Sequence, residues 1–104
     1  MSTPTSHPIS PQALAGIKVI ELGQLIAGPF AGKTLADFGA EVIKIEPPAA
    51  EGAPDGSGGD PLRQWRMLHN GTSVWWQVQS RNKKSVVLDL RTQEGRDTAR
   101  RLID

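Results

Sequence analysis

Two apolar, β-branched runs with a short helix-like segment between them constrain the fold more than any other feature of the chain. In the first run, Leu14 to Leu22, the residues Ile17, Val19 and Glu21 alternate with Lys18, Ile20 and Leu22. Largely apolar residues on both faces predict a strand covered on both sides, as at the centre of a parallel sheet. Gly23 to Gly28 reads as a loop. Pro29 suits a first helical turn, where its missing N–H has no partner to lose. Phe30 to Phe38 continues as helix, with Phe30, Ala31, Leu35 and Phe38 toward one side, and Gly39 closes it. Ala40 to Glu46 is a second strand, with Val42, Ile43 and Ile45 among Glu41, Lys44 and Glu46. With links this short, strand, helix and strand form a βαβ unit with parallel strands and a right-handed crossover.

A third strand is predicted over Ser85 to Leu90. Thr92 caps a last helix, Gln93 to Asp104, with Glu94 in its first turn and Arg100 and Arg101 near its end. Gly71 to Ser80, with Trp75 and Trp76, fits a helix or a strand. Three parallel strands need helices on both faces, and two helices are visible. Leu102 and Ile103 run to Asp104 without a Gly or Pro stop. The chain therefore reads as an incomplete α/β parallel sheet, the front piece of a longer protein.

Composition agrees. Only 38% of the residues are hydrophobic, and the shortfall is local. Residues 1–13 hold three prolines among Ser and Thr and read as a disordered tail. Pro47 to Pro61 holds eight Pro or Gly in fifteen residues and reads as a mobile loop. A core built from the remainder hides only about 60% of its unfolded surface and is marginal alone. The chain has no cysteine, which excludes disulfides and Cys-based metal sites. No apolar run approaches the ~20 residues of a membrane helix. No basic stretch leads into an apolar one at the N-terminus, so the expectation is a cytoplasmic protein with no membrane partner.

The net charge is +1, yet it is unevenly spread. Up to Pro61 there are three Lys/Arg and seven Asp/Glu; beyond it there are nine and four. A basic half suits an anionic partner, although a solvated face is the commoner reason for one. Ligands of open parallel sheets bind beyond the carboxyl ends of the strands. Here that is the Gly23–Gly28 loop, with the following helix start aimed at it. Gly28 either admits a ligand or backbone or simply turns the chain. Ala27 to Thr34 (A-G-P-F-A-G-K-T) fits a loose phosphate-loop pattern, and Val86 to Asp89 even matches its acidic companion. Pro29 argues against it, by removing an N–H and placing Lys33 and Thr34 inside a helix. No G-x-G-x-x-G is present in this loop.

Arg81-Asn82-Lys83-Lys84-Ser85 reads as a solvated turn or a phosphate holder. Arg63, Trp65, Arg66, Trp75 and Trp76 mix cations with aromatics, as single-stranded nucleic-acid sites do. Adjacent tryptophans suit core or interface packing better, and no nucleic-acid partner is expected. His7 and His69 have no metal-ligand partners at helical spacing, so no metal is expected. No nucleophile–base arrangement can be assembled, and no catalytic residue is assigned. Asp37, Glu41 and Glu46 read as surface residues, with Asp89 left open.

Several segments together resemble the start of family III CoA-transferases. They are L-A-G-I-K-V-I-E-L at 14–22, A-G-P at 27–29, L-A-D-F-G-A-E-V-I-K-I-E-P-P at 35–48, G-D-P-L-R-Q-W at 59–65, N-K-K-S at 82–85 and L-D-L at 88–90. That group is also called the carnitine-CoA transferase and bile-acid-inducible family, and it includes formyl-CoA transferase and α-methylacyl-CoA racemase. The resemblance implies a protein several times longer, pairing as an interlocked homodimer. Residues 14–104 would be the N-terminal part of a Rossmann-like, coenzyme A-binding large domain, with the Pro/Gly-rich loop at 47–61. Cofactor contacts carry over to Ile26 and Ala27, and to Leu88, Asp89, Leu90 and Arg91. A relative's arginine after the second strand corresponds to Pro47 here, so that contact is lost or replaced.

The implied substrates are an acyl-CoA and a carboxylic acid. The implied chemistry runs through an aspartyl mixed anhydride and an enzyme–CoA thioester, on an Asp that no residue of this chain matches. An acyl-CoA racemase of the same family and a non-catalytic nucleotide-binding fragment are the alternatives. A phosphate-loop NTPase ranks last.

Overall fold

In the computed structural model, which describes residues 12–54 and 57–104, the three predicted strands form one parallel sheet. The chain runs β1 (Lys18–Glu21), α1 (Ala27–Asp37), β2 (Glu41–Glu46), a 3-10 turn (Pro61–Gln64), β3 (Leu68–His69), β4 (Thr72–Ser73), α2 (Val74–Gln79), β5 (Lys83–Val87) and α3 (Gln93–Ile103). The spatial order is β1-β2-β5, with Val19 beside Val42 and Ile45 beside Val86. β3 and β4 form a small antiparallel hairpin of their own. Of the tail expected over residues 1–13, only Gln12 and Ala13 lie within the described residues, and Asp55 and Gly56 of the long loop lie outside them.

Within the three-stranded sheet of the described residues, β1 does not hold the central place that its apolar faces suggested. β2 holds that place, paired on both sides and buried from Val42 to Glu46. Among the described residues, β1 is paired on one side only, with Lys18 exposed. It is also shorter than its apolar run, because Leu14 to Ile17 fold into a turn closed by Ile17 N–H donating to Leu14 O at 3.0 Å. β5 is shifted two residues toward the N-terminus of the predicted strand, since Lys83 already pairs with Val42.

α1 starts at Ala27, two residues before Pro29, which still sits in the first turn. Gly39, at φ +107°, closes it as expected. The burial is on the other side from the one its large apolar residues mark. Pro29, Gly32 and Ala36 face inward, while Phe30, Leu35 and Phe38 are exposed. Small residues let the helix lie close on the sheet. The apolar cluster beneath it is Ala36, Ala40 and Val42, flanked by Leu14 and Val19.

The ambiguous Gly71–Ser80 stretch divides into β4 and α2, with Ser73 Oγ accepting from Trp76 N–H as the cap. Trp76 is buried under the Arg63 guanidinium, 4.1 Å from its ring centre, and Trp75 tilts against Trp65. Trp76 is a packing residue, while Trp75 stays exposed beside Trp65. α3 follows its prediction, with Thr92 Oγ1 accepting from Gly95 N–H.

Candidate functional site at the carboxyl end of the sheet

All three strands of a parallel sheet end on one side, so the segments after Glu21, Glu46 and Val87 share that side. β2 separates the other two, which places the Gly23–Gly28 loop and the Leu88–Arg91 segment two strand spacings apart, about 10 Å. Both groups of residues expected to contact coenzyme A therefore lie at the same end of the sheet.

Local packing shapes the first loop. A Cβ on either Gly23 or Gly28 would come within 2.8 Å of the other's Cα. Gly28 thus serves a backbone-to-backbone approach, which closes the loop. Ile26 is the N-cap of α1 and Ala27 its first residue; both are exposed, and no side chain caps the helix. Its first turn leaves its N–H groups toward the strand end, where the helix dipole favours an anion.

The second segment is held by Asp89. Its carboxylate accepts from Arg91 N–H at 2.9 Å, Arg91 Nε at 3.0 Å and the second guanidinium nitrogen at 3.2 Å. The Arg91 side chain, followed by the Arg91 amide, holds the Asp89 carboxyl below its usual range. The Asp89 carbonyl accepts from Thr92 N–H and Thr92 Oγ1. A Cβ at Gly95 would meet that carbonyl at 2.0 Å, so only glycine lets α3 pack on this turn. Arg91 itself is exposed, Leu88 is half-buried, and the Leu90 carbonyl accepts from Arg96. An open cavity of about 350 Å³ lies between the ends of β2 and β5, lined by residues that include Pro47, Gly59, Arg63 and Val87.

Beneath these loops lies a buried ionic network that sequence reasoning missed. Lys44, Asp60 and Glu46 are each 1% exposed and Glu21 is 5% exposed. The Lys44 ammonium reaches Glu21 at 2.7 Å, Asp60 at 2.9 Å and the Gly23 carbonyl at 2.9 Å, one partner for each of its protons. Lys83 lies 2.7 Å from the other Glu21 oxygen and donates to the Pro29 carbonyl at 2.8 Å. Burial pushes the Lys83 amine below its usual value, against the pull of Glu21. Glu46 accepts from both sides of the Arg63 guanidinium at 2.7 Å, from Asp60 N–H at 2.8 Å, and from Ser85 Oγ. Burial pushes its carboxyl up, yet these donors win and hold it at about 2.

This overturns the surface reading of Glu46. Asp37 and Glu41 stay at the surface, where Asp37 pairs with Arg81 and Asn82, and Glu41 with Lys84. Arg81, Asn82, Lys84 and Ser85 are exposed, as a solvated turn would be, and Lys83 alone has its side chain buried. Each of these side chains goes to an acid on α1, β1 or β2. The phosphate-loop pattern also fails, because all of Ala27 to Thr34 is helix, with Thr34 Oγ1 donating to Phe30 O. Lys33 lies over the Phe30 ring at 4.6 Å. The missed network had one sequence signal: a lysine in the middle of an apolar strand.

Among the described residues, no cluster of three or more His, Cys, Asp or Glu is placed to hold a metal ion. No helix there is long and apolar enough to cross a membrane.

Residues 14–104 match the model of the family described as CoA-transferase family III. Among curated proteins, the chain is 50% identical over 94 residues to the succinyl-CoA–D-citramalate CoA-transferase of Chloroflexus aurantiacus, covering 89% of this chain and 21% of that one. It is 38% identical over 93 residues to the human succinyl-CoA:glutarate CoA-transferase, covering 88% and 19%. Among solved structures, a CaiB/BaiF family protein from Brucella suis superposes with a TM-score of 0.73 at 38% identity, over 90% of this chain and 24% of that one. The chain thus spans about a fifth of the length of the curated relatives it matches.

Proposed function

This chain belongs to CoA-transferase family III, and on that premise we propose that it is the N-terminal part of an enzyme that moves coenzyme A from an acyl-CoA to a carboxylic acid. Residues 14–104 then form the leading part of the coenzyme A-binding large domain, and the whole protein is a homodimer. The observation that carries the reading is the 50% identity to a succinyl-CoA-dependent transferase, sustained over nearly the whole chain.

The strand-end geometry suits the cofactor. The uncapped start of α1, with Ile26 and Ala27 exposed, offers an electropositive surface to phosphate. Across β2, Leu88 to Arg91 forms the other side of the cofactor site. The Asp89 carboxylate is already neutralised by Arg91, so it does not repel a phosphate. Pro47 supplies no cation at the β2 end. Arg63 stands in the cavity beside it, but its guanidinium is committed to Glu46.

The reaction needs a carboxylate nucleophile from a segment beyond this one. That aspartate attacks the thioester carbonyl, and the C–S electron pair leaves with CoA thiolate, giving a mixed anhydride. The thiolate attacks the aspartyl carbonyl and releases the donor acid, leaving an enzyme–CoA thioester. The acceptor carboxylate then attacks that thioester. The resulting anhydride is cleaved by the released thiolate, which gives the new acyl-CoA and restores the aspartate. This chain's contribution is to bind and orient the nucleotide end of CoA.

The test is acyl exchange by the full-length protein. Succinyl-CoA is supplied with a panel of small dicarboxylic and hydroxy acids, and new CoA esters are read by mass spectrometry. Formation of a second CoA ester with release of succinate is expected. A folded full-length protein that exchanges nothing across the panel, or that only inverts an α-methylacyl-CoA centre, overturns the reading.

A further inference from the structure

The buried network grips the Gly23–Gly28 loop at several points, and its hold on the Leu25 amide comes from Asp60. Its carboxylate accepts from Leu25 N–H at 3.0 and 3.3 Å and from Leu62 N–H at 2.9 Å, while its other face meets Lys44 at 2.9 Å. Leu25 has φ +66°, a left-handed conformation that costs a branched residue on the order of 1 kcal/mol. It directly precedes Ile26 and Ala27. The same loop is gripped twice more, with Gly23 O accepting from Lys44 and Pro29 O accepting from Lys83. Asp60 itself arrives from the far end of the Pro/Gly-rich loop. That end is fastened by Gly59 N–H donating to Pro47 O at 2.9 Å and by Asp60 N–H donating to Glu46.

We propose that Asp60 is a positioning residue for cofactor binding: its carboxylate clasps the strained Leu25 backbone and so presents Ile26 and Ala27 in the conformation that meets acyl-CoA. The inference rests on the proposed transferase reading. Asp60 touches no reacting atom, and its 1% exposure keeps it out of reach of the substrate. The clasp is strong because a charged acceptor in a water-excluded site holds an N–H far better than water does. It exists before the cofactor arrives, so acyl-CoA need not supply the ordering of the loop.

The experiment uses the full-length protein. Asp60→Asn keeps the shape but removes the charge that Lys44 and Leu25 share. It is expected to raise KM for acyl-CoA about tenfold, the scale of one charged hydrogen bond, while kcat and KM for the acceptor acid stay near wild type. Leu25→Gly removes the left-handed strain, and in the Asp60→Asn background it should recover part of the lost KM. A merely structural role would instead lower the folded, active fraction, reducing kcat with both KM values unchanged. That outcome, or an unchanged KM for acyl-CoA in folded Asp60→Asn, overturns the proposal. Amide hydrogen exchange on the ligand-free wild type reads the same contact without any variant. Leu25 N–H should be protected, and exchange at the rate of an open loop overturns the clasp. If the wild type shows no acyl exchange at all, it is the transferase reading that fails. The exchange protection of Leu25 is judged separately.

Discussion

Glu46 shows how one carboxylate can fasten three elements. It closes the end of β2, binds Arg63 from the 3-10 turn and takes Ser85 from β5. Because its folded value lies at about 2, below the ordinary 4.5, its contribution to stability is present in full above about pH 4.5 and is lost as pH falls toward 2. Glu46→Gln keeps the volume and leaves Arg63 without its charge. It should cost about 2 kcal/mol at neutral pH, less than for a fully buried pair because Arg63 is partly exposed. The same change should flatten the loss of stability between pH 5 and 3. Urea titrations of the full-length protein at pH 7, 5 and 3 measure both effects. A wild type as stable at pH 3 as at pH 5 would contradict the assignment. Gly32 carries a related constraint: a Cβ there would sit 1.9 Å from Glu21 Oε1, so the absence of a side chain makes room for the Glu21–Lys83 pair under α1.

Helix α1 has a sheet-facing side of small residues and an outward side carrying Phe30 and Leu35. Its two ends differ in consequence. At the start, Ala27 is exposed beside the Gly23–Gly28 loop, and on the proposed reading Ala27→Glu sets bulk and negative charge where the phosphate of coenzyme A would approach. A rise in KM for acyl-CoA of tenfold or more is expected. In the second turn, inside the helix, Lys33 rests on Phe30. Lys33→Ala should change CoA transfer little, within about 0.5 kcal/mol as for other surface positions. Steady-state kinetics of the two full-length variants decide this. An ATPase activity that vanishes in Lys33→Ala, or unaltered CoA affinity in folded Ala27→Glu, would reverse the assignment of this helix.

At the scale of the whole molecule, the three-stranded sheet, the β3–β4 hairpin and the three helices of the described residues leave much apolar surface open. Phe30, Phe38, Met67, Val87 and Ile103 are all more than half exposed. At about 25 cal/mol per Å² of apolar surface, such exposure forgoes several kcal/mol that a covering element would return. Parallel sheets are normally covered on both faces. Residues 1–104 expressed alone should therefore show no cooperative thermal transition as a dilute monomer, and no acyl exchange. Calorimetry at low concentration, with sedimentation to establish the monomer, checks the first. A sharp transition there would mean that these surfaces need no cover.

The βαβ unit, the Gly39 stop of α1, the Thr92 cap of α3 and the family of the chain were all legible in the amino-acid sequence. The structural features rest on residues close together in the chain (alternation over a few positions, a glycine just past a helix, a hydroxyl three residues before the amide it accepts from), and the family rests on several short motifs in a fixed order. Three features were not legible in this way: the rank of the strands, the buried side of α1 and the fate of the charges. The apolar run at Leu14–Leu22 looked central because alternation reports the faces of a strand and says nothing of its neighbours; within the described sheet it is β2 that is paired on both sides. Phe30 and Leu35 marked the apolar side of α1, yet close approach to the sheet favoured Pro29, Gly32 and Ala36. Glu46 looked like a surface charge, and Lys44 was simply one polar residue of the second strand. They are buried because partners 14 to 39 residues away return to meet them, at Asp60, Arg63, Glu21 and Ser85. A charge goes inside only where its counter-charges converge, and that convergence is a property of the folded chain.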